Sequence, residues 1–205
     1  MDILQKLKNN QRRIGLTGGI ASGKTTITNY IRKHKNIPIL DADHFSRELI
    51  KPNTYGYKKI LDYFGNKIID KKSKSEREID RKLLRNIIFK HSASKEWIEK
   101  LLHPLIKERM IEECSKYRNN QTIILVIPLL FEAKFEDICT EIWLVKCPKE
   151  LQKNRLITRD KISEKEAYKL INFQLSFEEK RKFSDIILDN SDDQNKWINT
   201  IKELL

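Results

Sequence analysis

The sequence predicts an α/β fold in which a mostly parallel five-stranded sheet carries helices on both faces. Two observations predict it: apolar runs alternate with helical patterns along the chain, and a glycine-rich turn joins the first apolar run to a helix. Parallel strands need crossover connections, usually helical, so this alternation favours a parallel sheet. The runs interpreted as strands are residues 12–16, 37–40, 122–127, 142–145 and 186–188.

The remaining segments read as helices and loops. The pattern is helical over residues 25–34, 43–117, 148–182 and 192–205. The strand at 12–16, the helix at 25–34 and the strand at 37–40 form a βαβ unit of about 30 residues. Pro104 is expected to open a helix, because its missing N–H costs nothing in a first turn. A solvated loop is expected at Lys71–Ser75, and residues 1–11 are expected to be disordered.

The composition is that of one globular domain. The chain has 205 residues, of which 39% are hydrophobic, and no apolar run approaches the roughly 18 residues of a membrane-spanning helix. Cys114, Cys139 and Cys147 have no metal-type or paired spacing, which indicates free thiols in a reducing compartment. We therefore expect a cytoplasmic protein with no membrane partner, and a monomer.

The net charge of +12 has two interpretations. One is a polyanionic partner such as a nucleic acid. The other is compositional, since Lys, Ile and Asn are abundant together and the lysines are spread along the chain rather than clustered. The second interpretation is favoured, so no nucleic-acid partner is expected.

The glycine-rich turn matches the phosphate-binding pattern G-x-x-x-x-G-K-[ST], with a strand before it and a helix after it. Its glycines let successive N–H groups point at phosphate oxygens, and the helix N-terminus adds a favourable dipole. Lys24 is expected to reach the β- and γ-phosphates, and Thr25 to bind Mg²⁺. The predicted ATP-binding residues of this P-loop are Gly18, Gly19, Ala21, Ser22, Gly23, Lys24, Thr25 and Thr26.

A P-loop does not by itself define a reaction. The strand at 122–127 ends at Pro128 without the acid that often binds magnesium in such enzymes, so Asp41 and Asp43 are the available carboxylates. One is expected to help hold hydrated Mg²⁺ and the other to face an acceptor hydroxyl, while Arg47 holds an anionic group of the acceptor. The plainer alternative is a helix N-cap followed by a surface salt bridge.

Gln152, Arg155 and Arg159 are spaced three and four residues apart on a predicted helix and would share one face. Arginines on a lid suit the charge that develops on a transferring phosphoryl group. A solvated helix face is the alternative, and the spacing alone leaves both open.

These motifs together resemble the dephospho-coenzyme A kinase family, from about Arg13 to the C-terminus. The segments that carry the resemblance are Leu16–Thr25, Ile39–Asp43 with Arg47, Ile79–Arg81 with Leu84 and Phe89, Leu102–Pro104, Ile127–Glu132, Cys147-Pro148, Gln152, Arg155, Arg159-Asp160, Gln174, Asp185 and Asn190. Ala21 departs from this pattern, since it stands where the family usually has glycine. That alanine is acceptable at negative φ and strained in the left-handed region.

The resemblance implies a P-loop kinase domain at residues 12–205 that transfers the ATP γ-phosphoryl to the ribose 3′-hydroxyl of dephospho-CoA, with Mg²⁺. It implies an acceptor-binding helical insert at about 55–117 and a lid at about 148–182. The implied catalytic residues are Asp43, Lys24, Arg155 and Arg159. Asn190 would lie near the adenine, His103 and Leu130 would join Asp41 and Arg47 on the acceptor side, and Thr25 and Asp41 would hold the metal.

Two other functions remain open from the residues alone. The first is another small-molecule kinase of the same fold, acting on a nucleoside, a nucleotide or a shikimate-like acceptor. The second is a basic nucleic-acid-binding ATPase, which would need aromatic side chains on its basic face. Trp97, Trp143 and Trp197 lie in apolar patterns instead, which disfavours this second function.

Overall fold

A computed structural model describes residues 3–7, 10–70, 77–117 and 121–205. Within these residues, five strands form one sheet in the order β2-β3-β1-β4-β5, and every pairing is parallel. The predicted α/β class is confirmed, and the sheet is parallel throughout. The strands are β1 (Arg12–Gly18), β2 (Ile39–Asp41), β3 (Thr122–Val126), β4 (Glu141–Lys146) and β5 (Ile186–Asp189).

The order of the strands differs from the simplest interpretation of the first βαβ unit. β2 does not pair with β1, because β3 lies between them: Leu16 of β1 and Asp41 of β2 both align with Val126 of β3. The two strands are neighbours in sequence only. Asp41 still reaches the carboxyl edge of the sheet, where β1 ends at Gly18, because all five strands run in the same direction.

Helices account for most of the remaining described chain. The core on one side includes Ile27 and Ile31 from the first helix, Trp143 from β4 and Trp197 from the last helix, all essentially inaccessible to solvent. The helices are α1 (Lys24–His34), α2 (Ala42–Leu49), α3 (Tyr55–Phe64), α4 (Arg81–Lys90), α5 (Ser92–Ser115), α6 (Lys149–Asp160), α7 (Glu164–Asn172), α8 (Phe177–Arg181) and α9 (Gln194–Leu204).

Several helix starts are fixed by side chains that accept from backbone N–H groups. Asp80 caps α4 by accepting from the N–H of Leu83, at 2.9 Å. Ser163 and Ser176 open α7 and α8, each with a reciprocal capping box. Ser163 and Ser176 therefore fix where α7 and α8 begin, and with them where the segment between these two helices ends.

The chain divides into two compact units, one of residues 1–41 with 113–205 and one of residues 42–112. The second unit is helical and has its own core, which includes Ile60, Ile68 and Leu84. Tyr63 stacks on Trp97 at its edge, with 4.0 Å between ring centroids. This unit begins earlier than the predicted insert at 55–117, because α2 packs with α3.

Two expectations from the sequence are wrong. Pro104 does not open a helix but lies inside α5. The proline removes one helical hydrogen bond, and both Pro104 and Lys100, whose carbonyl would have accepted it, are exposed, so that carbonyl can bind water. The second concerns residues 1–11: Ile3–Lys6 forms a 3₁₀ turn, and Gln11 is buried, with its amide donating to the carbonyl of Cys114 at 3.0 Å.

The loop expected at Lys71–Ser75 lies outside the described residues. Among the helices that are described, none is long and apolar enough to span a membrane.

Candidate active site

The phosphate loop joins the end of β1 to the start of α1, as predicted. Gly23 caps α1 with a φ of 101°, a conformation that favours glycine. A Cβ there would lie 2.0 Å from Nδ2 of Asn190, so no other residue fits. At Gly19 a Cβ would lie 2.5 Å from Oε1 of Gln152. The loop is therefore packed tightly against the side chains of Asn190, which follows β5, and of Gln152 in α6.

Main-chain carbonyls of this loop are held by protein donors. Nζ of Lys24 donates to the carbonyls of Gly18 and Gly19, at 2.8 and 3.0 Å. Arg155 donates to the carbonyl of Ala21 at 3.2 Å, and Asn190 to that of Ser22 at 2.9 Å. Two of the N–H groups that follow these carbonyls also have partners within the protein: Ile20 donates to Oε1 of Gln174 at 2.7 Å, and Ser22 donates to the carbonyl of Gly19 at 3.1 Å. The conformation of the loop is therefore fixed by contacts to both its carbonyl and its N–H groups.

Ala21 occupies the left-handed region, with a φ of 57°. The sequence left its conformation open, and the structure assigns it the strained one. An L-residue in this region costs about 1 kcal/mol or more. The hydrogen bond from Arg155 to the carbonyl of Ala21 is one of the contacts that hold Ala21 in this conformation.

Asn190 follows β5 and is almost fully buried. Its Nδ2 donates to the carbonyl of Ser22, its Oδ1 accepts from Nε1 of Trp197 at 3.2 Å, and its N–H donates to the carbonyl of Lys146 at 2.9 Å. These contacts make Asn190 a bridge from the last helix to the phosphate loop. Proximity to adenine, which the resemblance implies, stays a prediction.

The polar face of α6 approaches the loop through two of its three predicted residues. Gln152 is buried, with Nε2 donating to the carbonyl of Cys147 at 2.8 Å. Arg155 also donates to Sγ of Cys147, at 3.4 Å. Burial raises the pKa of the Cys147 thiol, and the guanidinium of Arg155 opposes this shift.

Arg159 is more exposed and is held by its own neighbour. Its Nε and Nη2 donate to the two carboxylate oxygens of Asp160, at 2.7 and 2.9 Å. This hydrogen bonding raises the pKa of Arg159 further. The described structure thus has Arg155 at the phosphate loop and Arg159 paired at the end of α6.

The two predicted carboxylates, Asp41 and Asp43, are two residues apart in sequence, and each belongs to a different compact unit. Asp41 is the last residue of β2 and is half-buried, whereas Asp43 is exposed in the first turn of α2. Because α2 begins at Ala42, Asp43 is inside the helix and is not its N-cap. Arg47 is exposed one turn later, so it shares the face of Asp43.

The other predicted acceptor residues have different surroundings. His103 lies within α5, and burial lowers its pKa, with Glu99 opposing the shift and Lys95 adding to it. Leu130 is fully buried, and its Cδ1 would lie 2.8 Å from a Cβ at Gly15. In this conformation Leu130 is part of the packing behind β1.

The comparisons with known proteins agree with the motifs. A family model described as dephospho-CoA kinase matches residues 12–196. The dephospho-CoA kinase of Prochlorococcus marinus (strain MIT 9312) is 86% identical over 205 residues, covering 100% of both chains. The chain belongs to the dephospho-CoA kinase family. The resemblance inferred from the sequence is thereby confirmed.

Two solved structures share the fold of this dephospho-CoA kinase family member. The crystal structure of TT1252 from Thermus thermophilus is 26% identical, covers 96% of this chain and 97% of its own, and has a TM-score of 0.80. A dephospho-CoA kinase from Campylobacter jejuni is 27% identical, with coverage of 95% and 97% and a TM-score of 0.67. The P-loop kinase fold expected from the sequence is therefore confirmed.

Sequence reasoning missed one polar cluster beside the loop of this dephospho-CoA kinase family member. Lys180, in α8, is almost fully buried and lies 2.9 Å from Oε1 of Glu132. The same oxygen accepts from the N–H of Leu175 at 3.0 Å. Glu132 ends the segment Ile127–Glu132, which carries part of the family resemblance but for which the sequence assigns Glu132 no role. Lys180 lies in a charged stretch that reads as a solvated helix face, so no pattern distinguished it.

The binding of a magnesium ion by Thr25 and Asp41 stays a prediction. No group of three or more His, Cys, Asp or Glu side chains that could enclose a metal occurs in the described ranges. Magnesium in kinases is bound by one or two protein oxygens plus substrate phosphates and water, so a closed cluster is not required. Thr25, exposed beside Lys24, and Asp41, at the carboxyl end of β2, supply oxygens of the preferred type.

Proposed function

We propose that this chain transfers the γ-phosphoryl group of ATP to the ribose 3′-hydroxyl of dephospho-CoA, giving CoA and ADP, the last step of coenzyme A biosynthesis. Membership of the dephospho-CoA kinase family supports the acceptor. The observation that carries the ATP site is the phosphate loop, whose carbonyls are held by Lys24, Arg155 and Asn190. Such a loop presents N–H groups and a lysine to a polyphosphate.

Four residues are proposed to carry the chemistry. Lys24 neutralises charge on the transferring phosphoryl group after leaving its resting carbonyl partners. Arg155 is already at the loop, and Arg159 would have to exchange Asp160 for the nucleotide as the lid closes. Asp43 orients the acceptor hydroxyl for in-line attack and accepts its proton, with alignment contributing more than basicity.

Magnesium is proposed as the cofactor, held by Thr25 and Asp41. When bound, the ion would supply positive charge that offsets the negative charge of the phosphates. The hydroxyl of Thr25 and the carboxylate of Asp41 would orient the ion and its waters. Gly18, Gly19, Ala21, Ser22, Gly23 and Thr26 complete the proposed ATP site.

The helical unit is proposed to bind the acceptor, through Arg47 and His103. The exposed guanidinium of Arg47 suits the diphosphate of dephospho-CoA, which it can bind with two hydrogen bonds. With its pKa lowered by burial, His103 would act at neutral pH as an uncharged hydrogen-bonding group. Asp41 and Leu130 complete the proposed acceptor-binding set, although Leu130 is buried in this conformation. A cytoplasmic monomer, acting on small molecules rather than on nucleic acid, remains part of the proposal.

An ADP-release assay with dephospho-CoA as acceptor tests substrate and site together. The parent should turn over, and Asp43→Asn should be nearly inactive. Asp137→Asn is the matched control, because Asp137 is exposed in a 3₁₀ turn of the other unit. A parent that phosphorylates a nucleoside monophosphate or shikimate but not dephospho-CoA would refute the acceptor assignment. Equal rates for the parent and Asp43→Asn would remove Asp43 from the mechanism.

A further inference from the structure

A buried ion pair lies beside the phosphate loop and is not part of the machinery proposed above. Lys180 is 1% exposed, and its Nζ lies 2.9 Å from Oε1 of Glu132. In the described part of the chain, neither Nζ of Lys180 nor Oε2 of Glu132 makes a hydrogen bond. A buried pair with unsatisfied atoms does not stabilise a fold more than apolar side chains of similar size would. Its presence here calls for a reason other than stability.

The pair is connected to the phosphate loop through the segment between α7 and α8, residues 173–176, which we call the connector. Oε1 of Glu132, the oxygen nearest Lys180, also accepts from the N–H of Leu175 at 3.0 Å. The preceding connector residue, Gln174, accepts from the N–H of Ile20 in the phosphate loop, at 2.7 Å. Lys180, Glu132, the connector and the loop therefore form one continuous chain of polar contacts.

A cavity of about 250 Å³ lies along this chain of contacts. Gly19 of the phosphate loop, Gln152 of α6, the connector residues Gln174 to Ser176, and Lys180 all line it. Because there is free space beside them, packing alone does not fix these side chains. The side chain of Glu132 is 19% exposed, so without the ammonium group its carboxylate can turn toward water and release the N–H of Leu175.

We propose that Lys180 is a positioning residue for the phosphate loop. Its charge holds Glu132 in the orientation that accepts from Leu175, and this fixes Gln174 against the N–H of Ile20. The loop is thereby kept in the conformation that receives ATP. The proposal rests on the ATP-dependent transfer proposed above, and it concerns the binding of MgATP before any acceptor is present.

The test compares Lys180→Met, Lys180→Arg and the double variant Glu132→Leu with Lys180→Met. MgATP binding is measured by calorimetry, and stability by thermal unfolding. Lys180→Met should lower the melting temperature, because it leaves the mostly buried carboxylate of Glu132 without its cation, and should weaken MgATP binding on the order of tenfold. Lys180→Arg keeps the charge beside the cavity and should bind MgATP within about twofold of the parent.

The double variant separates positioning from folding. It removes both charges and should recover most of the melting temperature, since two apolar side chains can replace a buried pair. It also lacks the acceptor for Leu175, so MgATP binding should stay weak. Recovery of binding together with stability would overturn the proposal, because the pair would then serve the fold alone. Parent-like binding by Lys180→Met would also overturn it.

The pair of Arg12 with Glu141 provides the matched control. Both residues begin strands of the same sheet, at the edge opposite the phosphate loop, and they form an ion pair there. Arg12→Met should lower the melting temperature and leave MgATP binding unchanged. Equal weakening by Arg12→Met and Lys180→Met would overturn the proposal, since general loosening would explain both. A parent that binds MgATP but does not phosphorylate dephospho-CoA would refute the proposed function and leave this test intact.

Discussion

The side-chain amide of Asn190 donates to the main-chain carbonyl of Ser22 at 2.9 Å, and this contact joins the end of β5 to the phosphate loop. Its carbonyl oxygen accepts from Trp197 in α9, so three elements meet at one amide. Because Asn190 is buried, each of these partners would lose its hydrogen bond if the side chain were removed. The consequences should appear in both stability and nucleotide binding.

We therefore expect Asn190→Ala to destabilise the protein by about 1–3 kcal/mol, the cost of leaving buried polar groups unpaired. MgATP affinity should fall as well, because the carbonyl of Ser22 is no longer held. Thermal unfolding and calorimetric titration check both effects. Asn195→Ala, at an exposed position of α9, is the control and should change neither. Unchanged affinity in Asn190→Ala would show that the loop keeps its conformation without this contact.

Replacing Asp41 and replacing Asp43 are expected to impair activity in different ways. If Asp41 orients magnesium, Asp41→Asn should raise the Mg²⁺ concentration needed for half-maximal activity by about 10- to 100-fold. Asp43→Asn should lower kcat by roughly 10²- to 10⁴-fold at saturating Mg²⁺. Magnesium titrations of the steady-state rate, at saturating ATP and acceptor, distinguish the two. A magnesium requirement that shifts equally in both variants would show that the two carboxylates share one role.

Ala21→Gly should stabilise the protein. Glycine removes the left-handed strain of about 1–2 kcal/mol, and the gain is partly offset by the roughly 0.4–1 kcal/mol that a more flexible unfolded chain costs. The melting temperature should rise by about 1–3 °C. The same substitution at Ala167, inside α7, should lower it, because glycine weakens a right-handed helix. A fall at position 21 would mean that the loop is strained less than its φ of 57° indicates.

The stability of the helical unit should depend on the protonation of His103. Burial lowers the pKa of His103 from its ordinary value of 6.5, so the folded state resists protonation. Below about pH 6.5 the unfolded chain binds this proton more readily than the folded one, and stability falls as the pH decreases toward the folded pKa. Well above pH 6.5 both states are neutral and the effect vanishes.

His103→Gln should remove this part of the pH dependence. Urea unfolding at pH 7.5 and 5.5 measures it, and the variant should lose less stability between these values than the parent does. His91→Gln, at an exposed position after α4, is the matched control. A parent and a His103→Gln variant with parallel pH profiles would contradict the expectation.

The strands and the phosphate loop could be predicted because local pattern determines them. Buried parallel strands read as apolar runs, and the P-loop needs glycines at fixed spacing, as at Gly23. The strand order could not be predicted, since nothing in the runs at 39–41 and 122–126 records which pairs with β1. Pro104 was misplaced because a proline at an exposed face can lie inside a long helix, although proline usually marks a helix start.

The candidate site was predictable in its motifs but not in its contacts. The three-residue spacing of Gln152 and Arg155 predicted that they share one face of a helix. Only the fold shows that the guanidinium of Arg155 donates to the carbonyl of Ala21. Lys180 and Glu132 are 48 residues apart in the numbering and pair through tertiary packing. No local periodicity distinguishes such a buried lysine from the solvated lysines around it.

The hydrogen bonds from Lys24 to the carbonyls of Gly18 and Gly19 bear on how nucleotide binding is measured. Two of the three N–H donors of this ammonium group are bound to these carbonyls, so a phosphate that draws the group away exchanges contacts rather than simply adding them. Part of the favourable enthalpy of the new charge-assisted contacts is offset by the contacts that break. Calorimetry on the parent will therefore understate the strength of the lysine–phosphate contact, and an analogue that leaves Lys24 in place would escape this offset.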